Sequence, residues 1–434
     1  MLDTHRHIRM LPEQVANKIA AGEVVEADAI TGLLRVLRAV VNQTCLEGPP
    51  VSWPDVWREA CRHHLDAYLF AAVLEWPAAQ RPPQAWIEQA KSLFLSRAAA
   101  AVRIHCQLAD VLGALRGAGV AAVPIKGAWL AEHVYADIVQ RPMHDIDLLV
   151  HPADAPRAGD VLCRLGYRGN EQITPGGWGK DQQFRHPEGR VAVELHWQVG
   201  APDNDLLSVP DTERILGLAV RGVVAGVEMP VLSLATHVVY LIYHILAHHW
   251  RFPARAHLDL VLLGRRHAST LTVEALEAEA RVWGLGVRAP FVWRVAHDLC
   301  GCEPPASLTG WAPQDAAWMV RERAAALAVA MPRTSWRVPM SALLCDYQRA
   351  SGVKRFVLGM RAVLLPAANL RHAYPRATRW GGWLGGCAAR LADLIGRRSR
   401  DLLPGCRKRE DMVDAVDDMA ARLALDRRLK DLEG

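Results

Sequence analysis

Residues 123–150 read VPIKGAWLAEHVYADIVQRPMHDIDLLV, and this stretch decides the fold. A short strand is predicted over 120–125, and it ends at the turn Lys126-Gly127. The next residues, 128–137, have the spacing of a helix, and the apolar run 146–150 predicts a second strand. A strand, a turn, a helix and a second strand in so short a span indicate a small sheet that carries helices.

The predicted sheet extends beyond this stretch. Residues 155–165 predict a helix, and the runs 182–186 and 191–196 flank the turn signal Pro187-Glu188-Gly189-Arg190, so they predict a hairpin. Helical periodicity dominates the sequence on both sides of this region. We therefore predict an α+β fold in which a small mixed β-sheet is flanked by helical regions.

Shifts in composition predict five segments along the chain. Its 434 residues, 51% of them hydrophobic, can supply more than one core. We expect an N-terminal stub, a helical region, the sheet-bearing domain, a second helical domain and an Arg- and Trp-rich tail, which correspond to residues 1–27, 28–116, 117–205, 206–345 and 346–434. The tail is expected to end in a charged amphipathic helix over 411–432 that is only loosely attached.

Two of the predicted strands carry acids on one face. Side chains alternate across a strand, so Asp145 and Asp147 face one way while the apolar residues around them face the core. The same rule places Glu194 and His196 together on a later strand. If the two strands are neighbours, three carboxylates meet at one place. Oxygen ligands at this density suit Mg²⁺, with Mn²⁺ as an alternative, and the cation would remove their mutual repulsion.

The turn Lys126-Gly127 and the side chain of Arg141 are predicted to contact an anionic substrate. Glycine lets a backbone approach a phosphate closely, and the lysine adds a point charge. Arg141, four residues before Asp145, has a guanidinium fork that can clamp a phosphate. With His196 beside the acids, these residues predict a site that binds a nucleoside triphosphate (NTP) through a divalent metal ion.

The stretch Val123–Tyr167, together with Val193-Glu194-Leu195-His196-Trp197, resembles the uncharacterised nucleotidyltransferase family of the DNA polymerase β-like superfamily. In that superfamily a strand–Gly–helix element is followed by Asp-x-Asp and by a third acid on another strand. The resemblance implies that Asp145, Asp147 and Glu194 are catalytic metal ligands. It also implies transfer of a nucleoside monophosphate from an NTP to a hydroxyl-type acceptor, with release of pyrophosphate. Many members carry Gly-Ser at the turn, where this chain has Lys-Gly.

Charge and cysteine content limit the partners. A net charge of +5 is mild, so an NTP explains it, and binding to nucleic acid has only weak support. The nine cysteines are odd in number and form no CxxC framework, which indicates reduced thiols in a cytoplasmic protein. The sequence shows neither a signal peptide nor a window of about 18 uncharged apolar residues, so no transmembrane segment is expected.

Residues 8–26, IRMLPEQVANKIAAGEVVE, resemble the opening of MutL-type mismatch-repair ATPases. The likeness ends there, because the residues that follow lack the acidic base and the metal-binding Asn of that family. Its glycine-rich ATP-lid motif is absent as well. The resemblance therefore implies no ATPase function, and residues 1–27 are interpreted as a fused fragment or a misplaced start.

Two alternative functions remain open from the sequence. The first is a nucleotide-binding module with the same fold that has lost transfer, which the unusual Lys-Gly turn keeps open. The second is a glycosyltransferase that uses Asp-x-Asp to hold a metal and a nucleotide sugar, although the helical residues 28–116 argue against it. The acceptor is open too, since a small molecule, a peptide and an RNA end all fit.

Histidines and a basic run supply the remaining candidates. His237, His244 and His248 share one helix face, which suggests a substrate-facing wall, an accessory metal site or, as the favoured interpretation, polar packing against the sheet-bearing domain. Arg255 and Asp259 are expected to pair on the next helix. The basic run at 397–409 is expected to be a solvated face.

Overall fold

The computed structural model describes most of the chain up to residue 311 and short pieces beyond it. The described residues are 24–44, 46–47, 51–169, 180–200, 207–208, 210–250, 253–311, 322–323, 326–327, 379, 382–385, 387–388, 419 and 421–432. The MutL-like stretch up to residue 23, the basic run 397–409 and most of the tail 346–434 lie outside the described residues, so the predictions made for them stay predictions.

Four helices precede the sheet. Helix α2 shows why they pack: it begins after Ser52 with a proline in its first turn, and its buried residues recur at helical spacing. Pro82-Pro83 then breaks the chain, and the longest helix starts directly after it. The four helices are α1 (Val24–Val41), α2 (Trp53–Arg62), α3 (Asp66–Leu74) and α4 (Gln84–Gly117).

A five-stranded sheet forms the middle of the molecule, with strand order β1-β2-β5-β4-β3. The two central strands, β2 and β5, run parallel, and the other neighbours run antiparallel, so the sheet is mixed. Helices α5 (Gly127–His133) and α6 (Ala155–Arg164) connect its first strands. The strands are β1 (Ala122–Pro124), β2 (Asp145–Val150), β3 (Arg168–Gly169), β4 (Asp181–Arg185) and β5 (Ala192–His196).

A short helix, a strand pair and four longer helices follow the sheet. These seven elements are α7 (Thr212–Gly217), β6 (Val220–Val224), β7 (Val227–Val231), α8 (Leu234–Ala247), α9 (Arg255–Arg266), α10 (Val273–Val282) and α11 (Arg288–Cys300). Short 3₁₀ turns lie at Ala78–Gln80, Ile138–Gln140, Pro152–Asp154 and Ala306–Trp311. The small sheet β6-β7 is an antiparallel hairpin.

The predicted α+β class is confirmed, as is the hairpin formed by β4 and β5. The hairpin of β6 and β7 was not predicted, because the region after residue 206 was assigned to helices. Its turn residues Ala225 and Gly226 both have positive φ, +51° and +74°, as a two-residue hairpin turn requires. The signal was therefore present as Ala-Gly between two valine-rich runs.

One hydrophobic core joins these elements. Buried residues from the N-terminal helices, the sheet and helices α8 to α11 belong to a single contiguous cluster. The described C-terminal helix, residues 421–431, contributes Leu425 and Leu429 to it, and both are fully buried. The expectation that this helix is loosely attached was wrong, because its apolar face lies in the core and Asp426 bonds to Trp250 Nε1 at 2.8 Å.

Helix α4 is the one described helix that is long and apolar enough to cross a membrane by length and composition. The sequence led us to expect no such segment, and core helices of soluble proteins pass the same test. Leu108 and Leu112 of this helix are fully buried. Gln107 donates to the carbonyl of Val191 at 2.6 Å, so the helix also bonds to the chain at the start of β5.

Candidate functional site

The candidate site lies on the two central strands. In the parallel register of β2 and β5, Asp147 is directly opposite Glu194, and Leu149 is opposite His196. The predicted convergence of two acid-bearing strands therefore occurs within one strand pair. Asp147 is buried and Glu194 is half-buried, so the cluster lies where the sheet meets solvent.

Three side chains gather around one oxygen of Asp147. Lys126 Nζ lies 2.8 Å from Asp147 Oδ1, and His196 Nε2 lies 2.9 Å from the same atom. Glu194 Oε2 is 3.3 Å from His196 Nε2 and 4.0 Å from Lys126 Nζ. Asp147, Glu194 and His196 each offer a ligand atom, and these atoms lie within 4.8 Å of one another. Two carboxylates and an imidazole at this spacing suit a divalent cation such as Mg²⁺ or Mn²⁺.

Mutual pairing sets the charge of this cluster. Burial alone would raise the pKa of Asp147, but the Lys126 ammonium and the bond from His196 hold that pKa well below its ordinary value. Burial would also lower the pKa of Lys126, but the charge of Asp147, the hydrogen bond to it and the charges of Tyr240 and Glu194 together raise that pKa. For His196, burial lowers the pKa, but hydrogen bonds to Asp147 and Glu194 bring the net shift upward. Asp147 is thus ionised at neutral pH.

Asp145 lies two residues before Asp147 on the same face of β2, and its pKa shifts in the opposite direction. Burial and the nearby charge of Asp147 raise the pKa of Asp145 to about 6. Its carboxylate is not part of the group whose ligand atoms lie within 4.8 Å. Its predicted role as a metal ligand stays a prediction.

The predicted phosphate turn has an unusual backbone. Lys126 has φ +52° and ψ −129°, a conformation that L residues rarely adopt and that costs roughly 1–3 kcal/mol. The strain places the ammonium against Asp147. A Cβ on Gly127 would meet Met143 Cγ at 3.0 Å and Arg141 Nη1 at 3.3 Å. Glycine at this position therefore lets the segment before β2 pack against the start of α5.

Arg141 is engaged within the protein. Its Nε and Nη2 donate to the two oxygens of Asp259 at 2.8 and 2.9 Å, and Nη1 lies 3.2 Å from the Pro142 carbonyl. Tyr135 also donates to Asp259, at 2.6 Å. The Arg141 guanidinium, which we predicted to clamp a phosphate, is bonded to the Asp259 carboxylate. Phosphate binding by Arg141 stays a prediction. The expected pairing of Arg255 with Asp259 was wrong, because Arg141 takes that place.

The three histidines of α8 have different surroundings. His237 is fully buried against Trp129, with ring centroids 4.2 Å apart, as polar packing predicts. His244 lies one helical turn from Tyr240. Burial shifts the pKa of both side chains, and the charges of Lys126 and Asp147 act on both as well. Helix α8 thus forms one wall of the candidate site. His248 is exposed.

Sequence reasoning missed one acid of the site. Asp181 Oδ2 lies 3.5 Å from His196 Nδ1, the ring nitrogen that does not contact Asp147. Asp181 pairs with His196 in the antiparallel register of β4 and β5. The available signal was the predicted hairpin itself, since its register brings the first residue of one strand to the last residue of the other.

A family model described as an uncharacterised nucleotidyltransferase matches residues 49–301, more than half of the chain. The match includes every described residue of the site, from Lys126 to Asp259. Searches of the curated proteins and of the solved structures found no match to the chain.

Proposed function

The chain belongs to the uncharacterised nucleotidyltransferase family, and from this premise we propose that it transfers a nucleoside monophosphate from an NTP to a hydroxyl-type acceptor, releasing pyrophosphate. The observation that carries the proposal is the pairing of Asp147 with Glu194 in the parallel register of β2 and β5. It brings two carboxylates and His196 to one place, with Lys126 beside them. The motif likeness to the DNA polymerase β-like superfamily supports the same chemistry.

The metal would be held by Asp147, Glu194 and His196, with Asp145 as a further ligand from the same strand face. The donor set fits Mg²⁺, or Mn²⁺, because carboxylate oxygens dominate it. When bound, such an ion neutralises phosphate charge and lowers the pKa of a coordinated hydroxyl.

The chain's own residues divide the remaining work. Lys126 and Gly127 would contact the phosphates of the NTP, with the ammonium as the point charge. Glu194, whose side chain is 27% exposed, is the carboxylate best placed to take the proton of the acceptor hydroxyl. In the metal-free protein His196 holds Asp147 and Glu194 in position through its Nε2, and this nitrogen would exchange those contacts for the metal when the ion binds.

The acceptor class and the cellular location belong to this proposal. A small molecule, a peptide or an RNA end would each offer a hydroxyl. The six cysteines within the described residues are free, which supports a cytoplasmic location. The donor is the NTP, and no charge pattern in the described residues requires nucleic acid as a partner.

Asp147→Asn provides the test, because it keeps the size of the side chain and removes the charge. We expect it to reduce label transfer from α-labelled NTPs to background, measured with the four NTPs and a cell extract as acceptor source. The matched control is Asp160→Asn, the same substitution at an exposed position of α6, which should retain full transfer. Equal transfer by both variants would refute the assignment of Asp147.

A second candidate is a nucleotide-binding module without transfer. It is favoured by Lys126, whose ammonium already neutralises the carboxylate on which a cation would bind. Calorimetry distinguishes the two functions: binding of Mg²⁺-NTP to the unaltered protein without any release of pyrophosphate would support the module.

A further inference from the structure

A second group of basic side chains lies at the Asp145 end of the acid row. The rings of His64 and His144 are 4.8 Å apart and nearly perpendicular, at 62°. Arg255 Nη1 donates to the carbonyl of Pro142 at 2.7 Å. The side chains of His64 and Arg255 thus both meet the segment 142–144, which contains His144 and runs directly into Asp145. The three residues come from three separate parts of the chain: the end of α2, the approach to β2 and the start of α9.

Arg255 forms no close ion pair, and the charges of Asp259 and Asp145 act on it only from a longer distance. The neighbouring arginines each have a carboxylate partner, since Arg97 bonds to Asp66 and Arg141 bonds to Asp259. Among the described residues, no carboxylate lies within ion-pair distance of Arg255. Burial, together with the charge of Arg141, lowers the pKa of Arg255 to about 10. A half-buried guanidinium with spare donors is stabilised strongly by an anion.

His64 adds a buried ring nitrogen that lacks a hydrogen-bond partner. It has φ +55° in the turn that ends α2, where Leu65 N bonds to the Ala60 carbonyl at 2.8 Å. Glycine is the favoured residue at such a turn, and another residue there costs roughly 1–2 kcal/mol. Its Nδ1 is buried without a hydrogen-bond partner. An imidazole is thus held in a costly conformation with an unused nitrogen beside Arg255.

A neutral imidazole at His64 is compatible with Arg255. Burial, with the charge of Arg255, lowers the pKa of His64 to about 3. A neutral ring carries one N–H donor and does not repel the guanidinium. The rings of His64 and His144, together with the arginine fork, match the several acceptor oxygens of a phosphate.

We propose that Arg255, His64 and His144 form a binding site for a phosphate group at the Asp145 end of the acid row. Asp145 and Asp147 are two residues apart on one strand, so the site lies about 7 Å along the row from the Lys126 end. The inference rests on the proposed function, since the phosphate belongs either to the NTP tail or to the acceptor. Its chemistry is the same in both cases.

Metal-free binding measurements test the site apart from catalysis. Calorimetry with inorganic phosphate and with tripolyphosphate, in the presence of EDTA, should show binding to the unaltered protein. Arg255→Gln should weaken both ligands about tenfold, the loss of one charge-assisted hydrogen bond. Arg255→Lys, which keeps the charge but not the fork, should give an intermediate loss.

Arg265→Gln is the matched control. Arg265 lies on the same helix and also bonds to a backbone carbonyl, that of Val41, as well as to Asn42 Oδ1 at 3.3 Å. It is distant from the acid row, so its loss should leave phosphate affinity unchanged. Thermal unfolding of each variant reports whether the fold is retained, and His144→Asn repeats the test if Arg255→Gln does not fold.

The outcomes identify the source of the phosphate. Parallel weakening of tripolyphosphate and NTP by Arg255→Gln assigns the site to the NTP tail. Weakening of inorganic phosphate alone, measured with saturating Mg²⁺-NTP present, assigns it to an anionic acceptor. Absence of phosphate binding to the unaltered protein, or equal affinity in the Arg255 and Arg265 variants, overturns the site. Specific phosphate binding without nucleotidyl transfer would instead refute the proposed function and leave the site standing.

Discussion

Two buried aspartates, Asp147 and Asp259, face cations in different ways. They are 3% and 2% exposed. Asp259 has both oxygens bonded by the fork of Arg141 and a further bond from Tyr135. Asp147 receives Lys126 and His196 on one oxygen, Oδ1. Both oxygens of Asp259 are therefore hydrogen-bonded. In Asp147 a single oxygen is shared between the Lys126 ammonium and the His196 ring.

This difference separates a structural ion pair from a site that can accept a cation. The Arg141–Asp259 pair is bidentate and buried, so replacement of either partner would leave a buried charge. Lys126 is a point charge on a flexible stem, with 15% of its side chain exposed. The acids Glu194 and Asp145 add negative charge beside Asp147. The cluster therefore has more carboxylate than its own cations neutralise, which is the condition for binding a metal.

The largest effect on stability is expected from breaking the Arg141–Asp259 ion pair. Asp259→Asn leaves the guanidinium of Arg141 buried without a counter-charge and should lower the free energy of unfolding by about 3–5 kcal/mol. Asp147→Asn should cost clearly less, because Lys126 still has Glu194 at 4.0 Å and some access to solvent. Urea denaturation of the two variants measures the difference. Equal losses would remove the distinction between the two aspartates.

The sequence predicted Asp147 better than Asp259, and the reason is physical. Alternation along a strand fixes which side chains share a face, so Asp145, Asp147 and Glu194 could be grouped once their strands were predicted to be neighbours. The register that sets Asp147 opposite Glu194 follows from packing of the whole sheet and was not readable.

The partner of Asp259 shows the limit of local spacing. Arg255 lies four residues before it on the same helix, and this spacing predicted a pair. The actual partner, Arg141, is 118 residues away in sequence. Helical spacing identifies residues that can meet on a helix surface, but Asp259 is buried, so the segment packed against the helix decides its partner. The same holds for Arg255, whose bond goes to Pro142.

A smaller effect is expected when the Lys126 ammonium is removed. Lys126→Met frees Asp147 Oδ1 from a competing charge and should raise Mn²⁺ affinity roughly tenfold, followed by electron paramagnetic resonance. The matched control is Lys91→Met, the same substitution at an exposed position of α4 away from the acid row. Unchanged Mn²⁺ affinity in the Lys126 variant would show that the ammonium and the metal do not share Asp147.

The smallest effect concerns Asp145, the acid that lies between the two proposed phosphate contacts. Its pKa of about 6 means that a proton competes with the metal just below neutral pH. Between pH 7 and 5.5 Mn²⁺ affinity should therefore fall about fourfold through this group, as the fraction of ionised Asp145 declines. Asp145→Asn should remove this part of the pH dependence, and Asp160→Asn should retain it.

The raised pKa of Asp145 also predicts how the stability of the metal-free protein changes with pH. The folded pKa of Asp145 lies above the ordinary value of 3.8, so its contribution to stability is fully present below pH 3.8 and is lost as the pH rises through about 6. Asp147 behaves in the opposite way, because its lowered pKa gives stability that is lost only in acid. Asp145→Asn should thus flatten the unfolding free energy between pH 4 and 6. If the slope there is unchanged, Asp145 is not the group that titrates, and the two acids of the strand are more alike than the structure indicates.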